Sequence, residues 1–472
     1  MGLLRLLRSL ACSRFSFTHS YRKLVTMRNP LPSAPSRAAA LLASASYGGT
    51  IAAVRHLGEN GFKVSVISSQ HIFGAAAWSR WTSRSYWAPP ESDNRRFLER
   101  LLAIGAADPG QILLPTSDET AWLYTENVAL LEKNFCVYQP TIESMRRILD
   151  KKLFADAATN AGVAILPFWD PRNIDDLAAL APTLPYPIII KPRTHVHRLR
   201  NNKGIVVNSA SELIEQYQRF VSREQTRTAD DPLLPDARLP ILQRFVNVGS
   251  EGVYSVTGFI DRTGDLFVTR HATKVFQRSQ PVGVGVCFES RTNDPVLSDA
   301  VRRLCRHLGF FGIFEVEFLW FDGRWTAIDF NPRLFNQIGL DIRRGMPLPL
   351  LACLDAAGEM ATLRHAVAKA QAEQEVTKSV FYDRFTLRAI LFAQAVTSRT
   401  SHEGSAYWHA WMEQNASHAV DVVADDNDRM PGIVHAISEI YLGLKALPRF
   451  LYTTPRAYPL SKHTFLKRRD RA

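Results

Sequence analysis

Four oxygen-bearing side chains lie close together along one stretch of the chain. Glu315 and Glu317 are separated by one residue, and so are Asp329 and Asn331. Carboxylate and amide oxygens suit Mg²⁺, which usually keeps water ligands and bridges substrate phosphates. Acidic side chains among Phe, Trp, Ile and Val are costly to bury unless a positive charge accompanies them. The stretch therefore predicts a magnesium site, and salt bridges to neighbouring arginines are the alternative explanation.

A β-hairpin is the element that must position these side chains. Two apolar strands are predicted at Phe314–Trp320 and Trp325–Phe330, and Asp322-Gly323 between them is a typical two-residue turn. Because side chains alternate along a strand, the two glutamates share one face of the first strand. The aspartate and the asparagine likewise share one face of the second. We expect the hairpin to bring two carboxylates and an amide together.

Two further strands lead into groups that suit a nucleotide. The apolar strand Ile188–Lys191 ends in a lysine, whose cation can hold a phosphate in a cleft. A second strand, Ile241–Val246, is followed by a turn and Glu251. Such a linker can offer backbone groups to an adenine edge and a carboxylate to ribose hydroxyls. Lysines end many strands, so these features carry weight only together with the acidic hairpin.

Residues 38–140 predict a parallel α/β domain. An apolar strand, Ala38–Ala43, runs into a glycine turn and a helix, and a second strand follows at Lys63–Ile67. This order predicts a parallel sheet that presents a ligand edge at the carboxyl ends of its strands. A further strand, Gln111–Leu114, leads to the polar residues Ser117–Glu119. These residues either position a substrate or cap the next helix.

The rest of the chain divides into regions that differ in charge and in predicted secondary structure. A charged helix is predicted at Ile142–Asn160, and an α+β region extends from there to residue 350. From residue 351 to 472 the chain is predicted to be a helical region that ends in a basic tail, and residues 1–37 a basic segment without a stable fold. The α+β region rests on seven predicted strands: Ile188–Lys191, Gly204–Val207, Ile241–Val246, Gly252–Ile260, Leu266–Arg270, Phe314–Trp320 and Trp325–Phe330.

Composition and charge narrow the class of protein. The 472 residues suggest two or three domains, and no apolar run approaches the ~20 residues that span a bilayer. The formal net charge of +12 lies largely at the two ends, and no nucleic-acid motif accompanies it. We therefore expect no nucleic-acid binding, whereas peripheral membrane contact through the basic ends stays open.

Cysteine usage and the N-terminal composition bear on location. The five cysteines show no C-x-x-C spacing, which favours the reducing cytoplasm over a disulfide framework or a zinc site. Residues 1–37 contain no Asp or Glu. This composition is shared by organelle transit peptides and by start codons assigned too early, in which case Met27 would be the true start.

The order and spacing of these segments together resemble the ATP-grasp enzymes, and within them the carboxylate-amine ligases similar to D-aspartate ligase. The resemblance covers about residues 38–350. It implies an ATP-grasp fold with an N-terminal Rossmann-like domain, ATP and Mg²⁺ or Mn²⁺ as cofactors, and small-molecule carboxylate and amine substrates. Its most specific stretches are Asp150-Lys151, Ile190-Lys191-Pro192, Tyr254–Pro281 and Glu315–Arg333.

The resemblance also implies a role for individual residues. Lys274 would lie over the transferred phosphate, and Arg333 would stabilise the acyl phosphate. The metal ligands would be Glu317, Asp329 and Asn331. Within the nucleotide site, two lysines would contact phosphates, Gln243 and the backbone after it would face adenine, and Glu251 would bind ribose. The nucleotide-binding set is Lys151, Lys191, Gln243, Arg244, Phe245, Val246, Glu251 and Lys274.

Two departures from the family pattern affect the phosphate site. The strand that ends at Lys191 is normally followed by a glycine-rich loop, but residues 193–204 are rich in basic side chains. Phosphate cover is therefore expected from side chains in place of backbone amides. Asp329 stands where Glu is usual, which shortens the reach to a metal by one methylene. The side chains expected to cover the phosphates are Arg198, Arg200 and Lys203.

The expected reaction is ADP-forming activation of a carboxylate, followed by attack of an amine. Residues 278–285, with Gly283 and Gly285, are the predicted loop that closes over the acyl phosphate. Two other functions stay open. One is activation of bicarbonate, although no biotinyl-carrier or glutaminase region is evident. The other is non-catalytic ATP binding by a regulatory protein, which the altered phosphate loop favours.

Overall fold

A computed structural model describes residues 38–198, 204–223, 231–247, 252–278, 283–373, 378–396 and 402–452. All of these belong to one compact unit. The segment 1–37, the basic tail after residue 452, Glu251, Arg200 and Lys203 lie outside the described residues. The expected domain boundaries at residues 140 and 350 stay predictions.

Sixteen strands and fifteen α-helices form within the described residues. The strands are β1 Ala39–Leu42, β2 Lys63–Ser68, β3 Thr82–Trp87, β4 Gln111–Leu114, β5 Phe135–Val137, β6 Phe168–Trp169, β7 Ile188–Lys191, β8 Ile205–Val207, β9 Ile241–Arg244, β10 Val253–Ile260, β11 Phe267–Arg278, β12 Val284–Arg291, β13 Gly312–Phe321, β14 Arg324–Asn331, β15 Val380–Tyr382 and β16 Ala419–Asp421. The helices are α1 Gly48–Glu59, α2 Asn94–Ala107, α3 Asp118–Glu126, α4 Val128–Leu131, α5 Ile142–Leu149, α6 Lys151–Asn160, α7 Ile174–Leu180, α8 Ala210–Arg223, α9 Pro295–Leu308, α10 Ile338–Arg343, α11 Leu348–Ala356, α12 Met360–Ala372, α13 Arg384–Val396, α14 His402–Gln414 and α15 Arg429–Tyr452.

The first sheet is parallel throughout, as the strand–helix–strand pattern predicts. Its strand order is β3-β2-β1-β4-β5. The interior strand β4 is buried along its whole length, because a parallel sheet carries helices on both faces. The sequence reasoning missed β3, whose outward side chains are mostly polar, and the short strand β5. The carboxyl ends of β1 and β4 lie side by side at the expected ligand edge.

The prediction of one continuous helix over Ile142–Asn160 is wrong, because two helices, α5 and α6, occupy this segment. Asp150 between them has an extended backbone, and its carboxylate accepts hydrogen bonds from the backbone N–H groups of Lys152 and Leu153. A carboxylate that satisfies the free N–H groups of a helix start competes with continuation of the helix. The break puts Lys151 in the first turn of α6.

Two antiparallel-rich sheets make up the second part of the fold. The four-stranded sheet has the order β6-β9-β7-β8, and the seven-stranded sheet has the order β14-β13-β10-β11-β12-β15-β16. The predicted strand Leu266–Arg270 is too short, because β11 continues to Arg278. Its second half pairs with β10 as far as Lys274 and with β12 from His271 to Arg278. Its polar side chains His271, Thr273 and Lys274 have hydrogen-bond partners on other strands, so the segment is not marked by an apolar pattern.

The region after residue 350 is largely helical, as predicted, and also contains two short strands. The short strands β15 and β16 join the edge of the seven-stranded sheet. One apolar core contains Val54 of α1, Phe288 of β12, Phe381 of β15 and Val422, so the first sheet and the C-terminal region share a core. Within the described ranges, no helix combines the length and the hydropathy needed to cross a bilayer.

Candidate active site

The predicted hairpin is confirmed and sets the register of the acidic side chains. Asp322 and Gly323 between β13 and β14 both have positive φ angles, of 50° and 74°. Two consecutive positive φ angles define the type I′ turn, whose twist matches that of the flanking strands. In this register Glu317 lies opposite Asp329, and Glu315 lies opposite Asn331. Cross-strand neighbours share one face of a sheet, so all four side chains converge.

Each predicted metal-binding carboxylate is paired with a lysine. Lys151 Nζ lies 2.5 Å from Asp329 Oδ1, and Lys274 Nζ lies 2.7 Å from Glu317 Oε1. Burial opposes ionisation of Asp329, but the charges of Lys151 and Lys191 outweigh it and lower the pKa of this carboxyl. Burial would lower the pKa of Lys274, but Glu317 raises it. Lysines, and not the arginines of the alternative explanation, are the partners found here.

Glu315 is the most buried acid of the group. Its carboxylate accepts hydrogen bonds from Ser255 Oγ, Asn331 Nδ2 and Gln337 Nε2. Burial, together with the neighbouring Glu317, raises the pKa of Glu315 to about 7. Since Asn331 donates an N–H of its side-chain amide to Glu315, its amide oxygen faces the other way. Glu315 thus orients the amide that is predicted to bind metal.

Arg333 joins this group to the start of α3, the helix that follows β4 of the first sheet. Its guanidinium donates to Asn331 Oδ1 at 2.9 Å and to Asp118 Oδ1 at 2.6 Å. Burial would lower the pKa of Arg333, but Asp118 raises it. Asp118 therefore holds an arginine, while Ser117 beside it caps α3, accepting from the backbone N–H of Thr120. Of the two expected roles for this segment, the helix cap is confirmed for Ser117.

One cleft, between the four-stranded and the seven-stranded sheets, collects most of the predicted residues. Its volume is about 210 Å³. The predicted site residues that line it are Lys191, Gln243, Arg244, Phe245, Val246, Lys274, Glu317, Asp329, Asn331 and Arg333. Lys151 reaches the group through Asp329.

The cleft has an apolar lining beside its charged one. Leu319 lies two residues beyond Glu317, so strand alternation puts both on the same face of β13. Leu166, Ile189 and Ile328 also line the cleft. A flat apolar base and a polyanion could therefore bind side by side in this single cleft.

The hinge strand β9 is constrained more tightly than expected. Gln243 lies on β9, and its side-chain oxygen accepts a hydrogen bond from Lys191 Nζ at 3.3 Å. The backbone N–H of Arg244 donates to Pro167 O at 2.8 Å, and that of Phe245 donates to Pro187 O at 3.1 Å. These two N–H groups are already used. An adenine edge at the hinge would therefore contact carbonyl oxygens or the backbone of Val246.

The loops expected around the phosphates are only partly described. Arg198 is buried, with its guanidinium carbon 5.8 Å from the centre of the Phe220 ring, and it is not among the described residues that line the cleft. Gly283 and Gly285 do line it. A Cβ on Gly285 would lie 2.7 Å from Cδ of Lys274 and 2.2 Å from the Phe288 ring. Only glycine fits so close to the predicted catalytic lysine.

The oxygen atoms of Glu317, Asp329 and Asn331 suit a hard cation, but in this structure lysines pair with the two carboxylates. Among the described residues, no three or more His, Cys, Asp or Glu side chains form a preassembled metal cluster. The predicted set is two carboxylates and one amide, which are oxygen donors that fit Mg²⁺. Each carboxylate is charge-balanced by a lysine. A divalent cation would therefore have to displace the ammonium groups or share the carboxylate oxygens with them.

Sequence reasoning missed several residues of the cleft. His195 lines it, and its charge contributes to the lowered pKa of Asp329. Gln337 and Asn336 also line it, from the loop that follows Arg333. No spacing pattern marks them, but their positions just after Lys191 and after the Asn-Pro-Arg segment could have drawn attention to them.

Comparisons with known proteins bear on the fold. Neither a protein-family model nor a curated protein sequence matches the chain. It is similar to the biotin carboxylase domain of 2-oxoglutarate carboxylase from Hydrogenobacter thermophilus in complex with MgADP, ADP and bicarbonate, with a TM-score of 0.54, 14% identity, and 67% of this chain and 69% of that chain covered. Biotin carboxylase from Campylobacter jejuni gives a TM-score of 0.53 and 17% identity over 68% of this chain and 71% of that chain.

A third solved structure belongs to a different enzyme. N5-carboxyaminoimidazole synthetase from Staphylococcus aureus gives a TM-score of 0.51 and 14% identity over 68% of this chain and 78% of that chain. Identities this low establish the fold and not the reaction. The chain has the predicted ATP-grasp fold. The predicted similarity to D-aspartate ligase stays a prediction.

Proposed function

We propose that this protein is an ATP- and Mg²⁺-dependent ligase that activates a carboxylate for attack by an amine. In the first step the γ-phosphoryl group of ATP passes to a carboxylate oxygen, and ADP leaves. In the second step the amine nitrogen bonds to the acyl carbon, and inorganic phosphate leaves. The substrates are a small-molecule acid and a small-molecule amine.

The observation that carries the proposal is the charge pattern of the cleft. Asp329 and Glu317 lie side by side and are each paired with a lysine, and Arg333 lies at the end of the same row. Such alternation can accept a triphosphate with its divalent cation, because each anion and each cation brought by the ligand finds a partner of opposite charge. Ion pairs that only stabilised the fold would not need to line an open cleft.

The residues of the chain supply positioning and electrostatic stabilisation. Lys191, Lys274 and Arg333 would neutralise the charge of the phosphoryl group during transfer. The apolar lining and Gln243 would orient the base, and Glu315 would keep the Asn331 oxygen directed into the site. Glu317, Asp329 and Asn331 would hold Mg²⁺, which on binding supplies charge neutralisation for the phosphates.

The first experiment measures ADP release with Mg²⁺ over pooled carboxylic acids and amines. Asp329→Asn keeps the shape of the side chain but removes the metal-binding charge, so we expect turnover to fall by at least a factor of about 100. The matched control is Asp322→Asn, which changes the same residue type in the same hairpin at its turn. Unchanged Mg²⁺-dependent turnover in Asp329→Asn would refute the metal assignment.

The second experiment measures nucleotide affinity by calorimetry. Lys191→Ala should weaken binding of ATP with Mg²⁺ by at least about 10-fold, since a charge-assisted contact is worth about 1.5–3 kcal/mol. Lys152→Ala removes a lysine of α6 that pairs with Asp156 outside the cleft, and it should leave affinity unchanged. Equal affinities of Lys191→Ala and the wild type would count against the phosphate role.

Bicarbonate is a second candidate for the carboxylate. The similarity to a biotin carboxylase domain whose structure contains MgADP and bicarbonate favours it. ADP release that needs bicarbonate and no organic acid would select this candidate. Tight nucleotide binding without ADP release under any acid and amine pair would instead favour the non-catalytic regulatory role.

A further inference from the structure

The last described helix carries an apolar ridge that faces solvent. Met430, Ile433, Ile437 and Ile440 of α15 are 42%, 50%, 53% and 54% exposed. Their spacing of three and four residues makes them neighbours on one helix face. Single exposed apolar side chains are ordinary on protein surfaces, whereas a contiguous row indicates an interaction site. These four side chains are named the α15 ridge.

The face of α15 that adjoins the ridge packs on the protein. Val434 and Ser438 are buried there. The ring of Tyr441 stacks on that of Phe73, with the ring centres 5.2 Å apart. The helix therefore has its packing face satisfied, and the α15 ridge is a second apolar face.

The α15 ridge itself carries no charge. Between its two ends the acidic and basic residues are His435 and Glu439. Both pair with side chains of the protein body: His435 Nε2 lies 2.7 Å from Asp383, and Glu439 lies 3.1 Å from Arg278. Burial of the ridge against an apolar medium would thus require no charged group of this face to lose water.

The sequence that follows the ridge is strongly basic. Residues 445–471 contain eight Lys or Arg and one Asp, and residues 1–37 contain seven Lys or Arg and no acid. Each segment is therefore +7. The whole chain is +12, so the residues between the two segments carry a net charge of −2. The positive excess lies entirely in the two end segments, and one of them continues directly from the α15 ridge.

We propose that this face docks on the surface of an anionic lipid bilayer. The α15 ridge would enter the boundary between headgroups and acyl chains, and the positive charge of residues 445–471 would attract anionic headgroups. One weak signal gives marginal and reversible membrane binding, whereas an apolar face combined with a polybasic segment gives stable attachment. A second copy of the chain would cover the ridge equally well, but it would bring two +7 segments together against their mutual repulsion.

The test is co-sedimentation of the full chain with lipid vesicles. We expect binding to phosphatidylcholine vesicles that contain about 30% phosphatidylserine, and little binding to phosphatidylcholine alone. Binding should fall when salt is raised from about 50 mM to about 200 mM, because the Debye length shortens. The triple variant Ile433→Gln/Ile437→Gln/Ile440→Gln keeps helix-favouring residues and should bind at least about 10-fold more weakly.

Two control variants separate the ridge from other effects. Ile174→Gln replaces a similarly exposed isoleucine on α7 and should leave vesicle binding unchanged. Lys467→Gln/Arg468→Gln/Arg469→Gln should weaken binding only to the vesicles that contain phosphatidylserine. The ridge variant should keep the melting temperature and the ADP release of the wild type, so membrane docking is tested independently of the ligase proposal.

Three results would overturn the proposal. The first is absence of wild-type binding to the anionic vesicles. The second is equal vesicle binding by the wild type and the ridge variant, which would leave the basic ends as the whole cause. The third is a wild-type dimer that becomes a monomer in the ridge variant, as seen by analytical ultracentrifugation, because the occupant would then be a second copy.

Discussion

Removal of the Lys274 ammonium group should make the protein less stable and more responsive to Mg²⁺. Lys274 and Glu317 form an ion pair in which the lysine side chain is 8% exposed and the glutamate 16%. In Lys274→Met the alkyl stem remains, but Glu317 loses its partner and faces Glu315. Breaking a buried pair by removing one partner costs about 3–5 kcal/mol. We expect about 3 kcal/mol here, because the cleft admits water.

The same substitution frees a predicted metal ligand. In the wild type, Mg²⁺ must compete with Lys274 for Glu317, whereas in Lys274→Met the cation would replace the lost charge. A ligand at 10 times its dissociation constant stabilises the folded state by about 1.4 kcal/mol. Mg²⁺ without nucleotide should therefore restore about half of the lost stability to the variant and have a smaller effect on the wild type.

Thermal unfolding with and without Mg²⁺ measures both effects. A loss of about 3 kcal/mol should lower the melting temperature by about 3–6 °C for a compact unit of this size. Lys369→Met, which removes the lysine of an exposed pair with Glu373, is the control and should melt like the wild type. In Lys274→Met/Glu317→Gln, the Mg²⁺ response should vanish. Equal Mg²⁺ responses of the wild type and Lys274→Met would refute the idea that the ammonium group occupies a cation site.

Three further predictions concern other parts of the fold. Burial opposes protonation of His435, but Asp383 outweighs it and raises the pKa of the imidazole. The stability that the charged imidazole contributes is therefore present below its unfolded pKa and is lost as pH rises through its folded pKa. Denaturant titrations should show that His435→Gln lowers the free energy of unfolding most near pH 6 and little near pH 9. Asp428→Ala leaves Arg55 buried without its 2.9 Å partner and should lower the free energy of unfolding by about 3 kcal/mol, whereas the exposed Asp426→Ala should change it little. Gly285→Ala should cost about 1–3 kcal/mol and lower turnover, because its Cβ would overlap the Phe288 ring and displace Lys274.

Local sequence patterns predicted much of the fold and the hairpin of the site. The alternation of side chains and the Asp322-Gly323 turn predicted the hairpin, which forms as expected. The apolar strands Gln111–Leu114 and Ile188–Lys191 were predicted with the bounds they have. These features depend on residues close in sequence, so one sequence is enough to predict them. The metal and nucleotide roles assigned to the site residues stay predictions.

Local rules failed where a distant contact decided the backbone. The second half of β11 mixes polar and apolar residues, and its polar side chains His271, Thr273 and Lys274 find partners on β10, β12 and β13. The strands β15 and β16 are short segments that become strands only at the edge of a sheet built elsewhere. The break at Asp150 was visible as a capping residue, but the helical pattern on both sides concealed it.

The sequence alone determined that two carboxylates and an amide would face one way from a hairpin, because strand geometry links neighbours without reference to the rest of the chain. Only the tertiary structure decided which cations meet them. Lys151 reaches Asp329 from a helix start, Lys274 reaches Glu317 across the sheet, and Asp118 at the start of α3 holds Arg333. Charge pairing over such sequence distances depends on how whole elements pack, and no spacing in the chain encodes it.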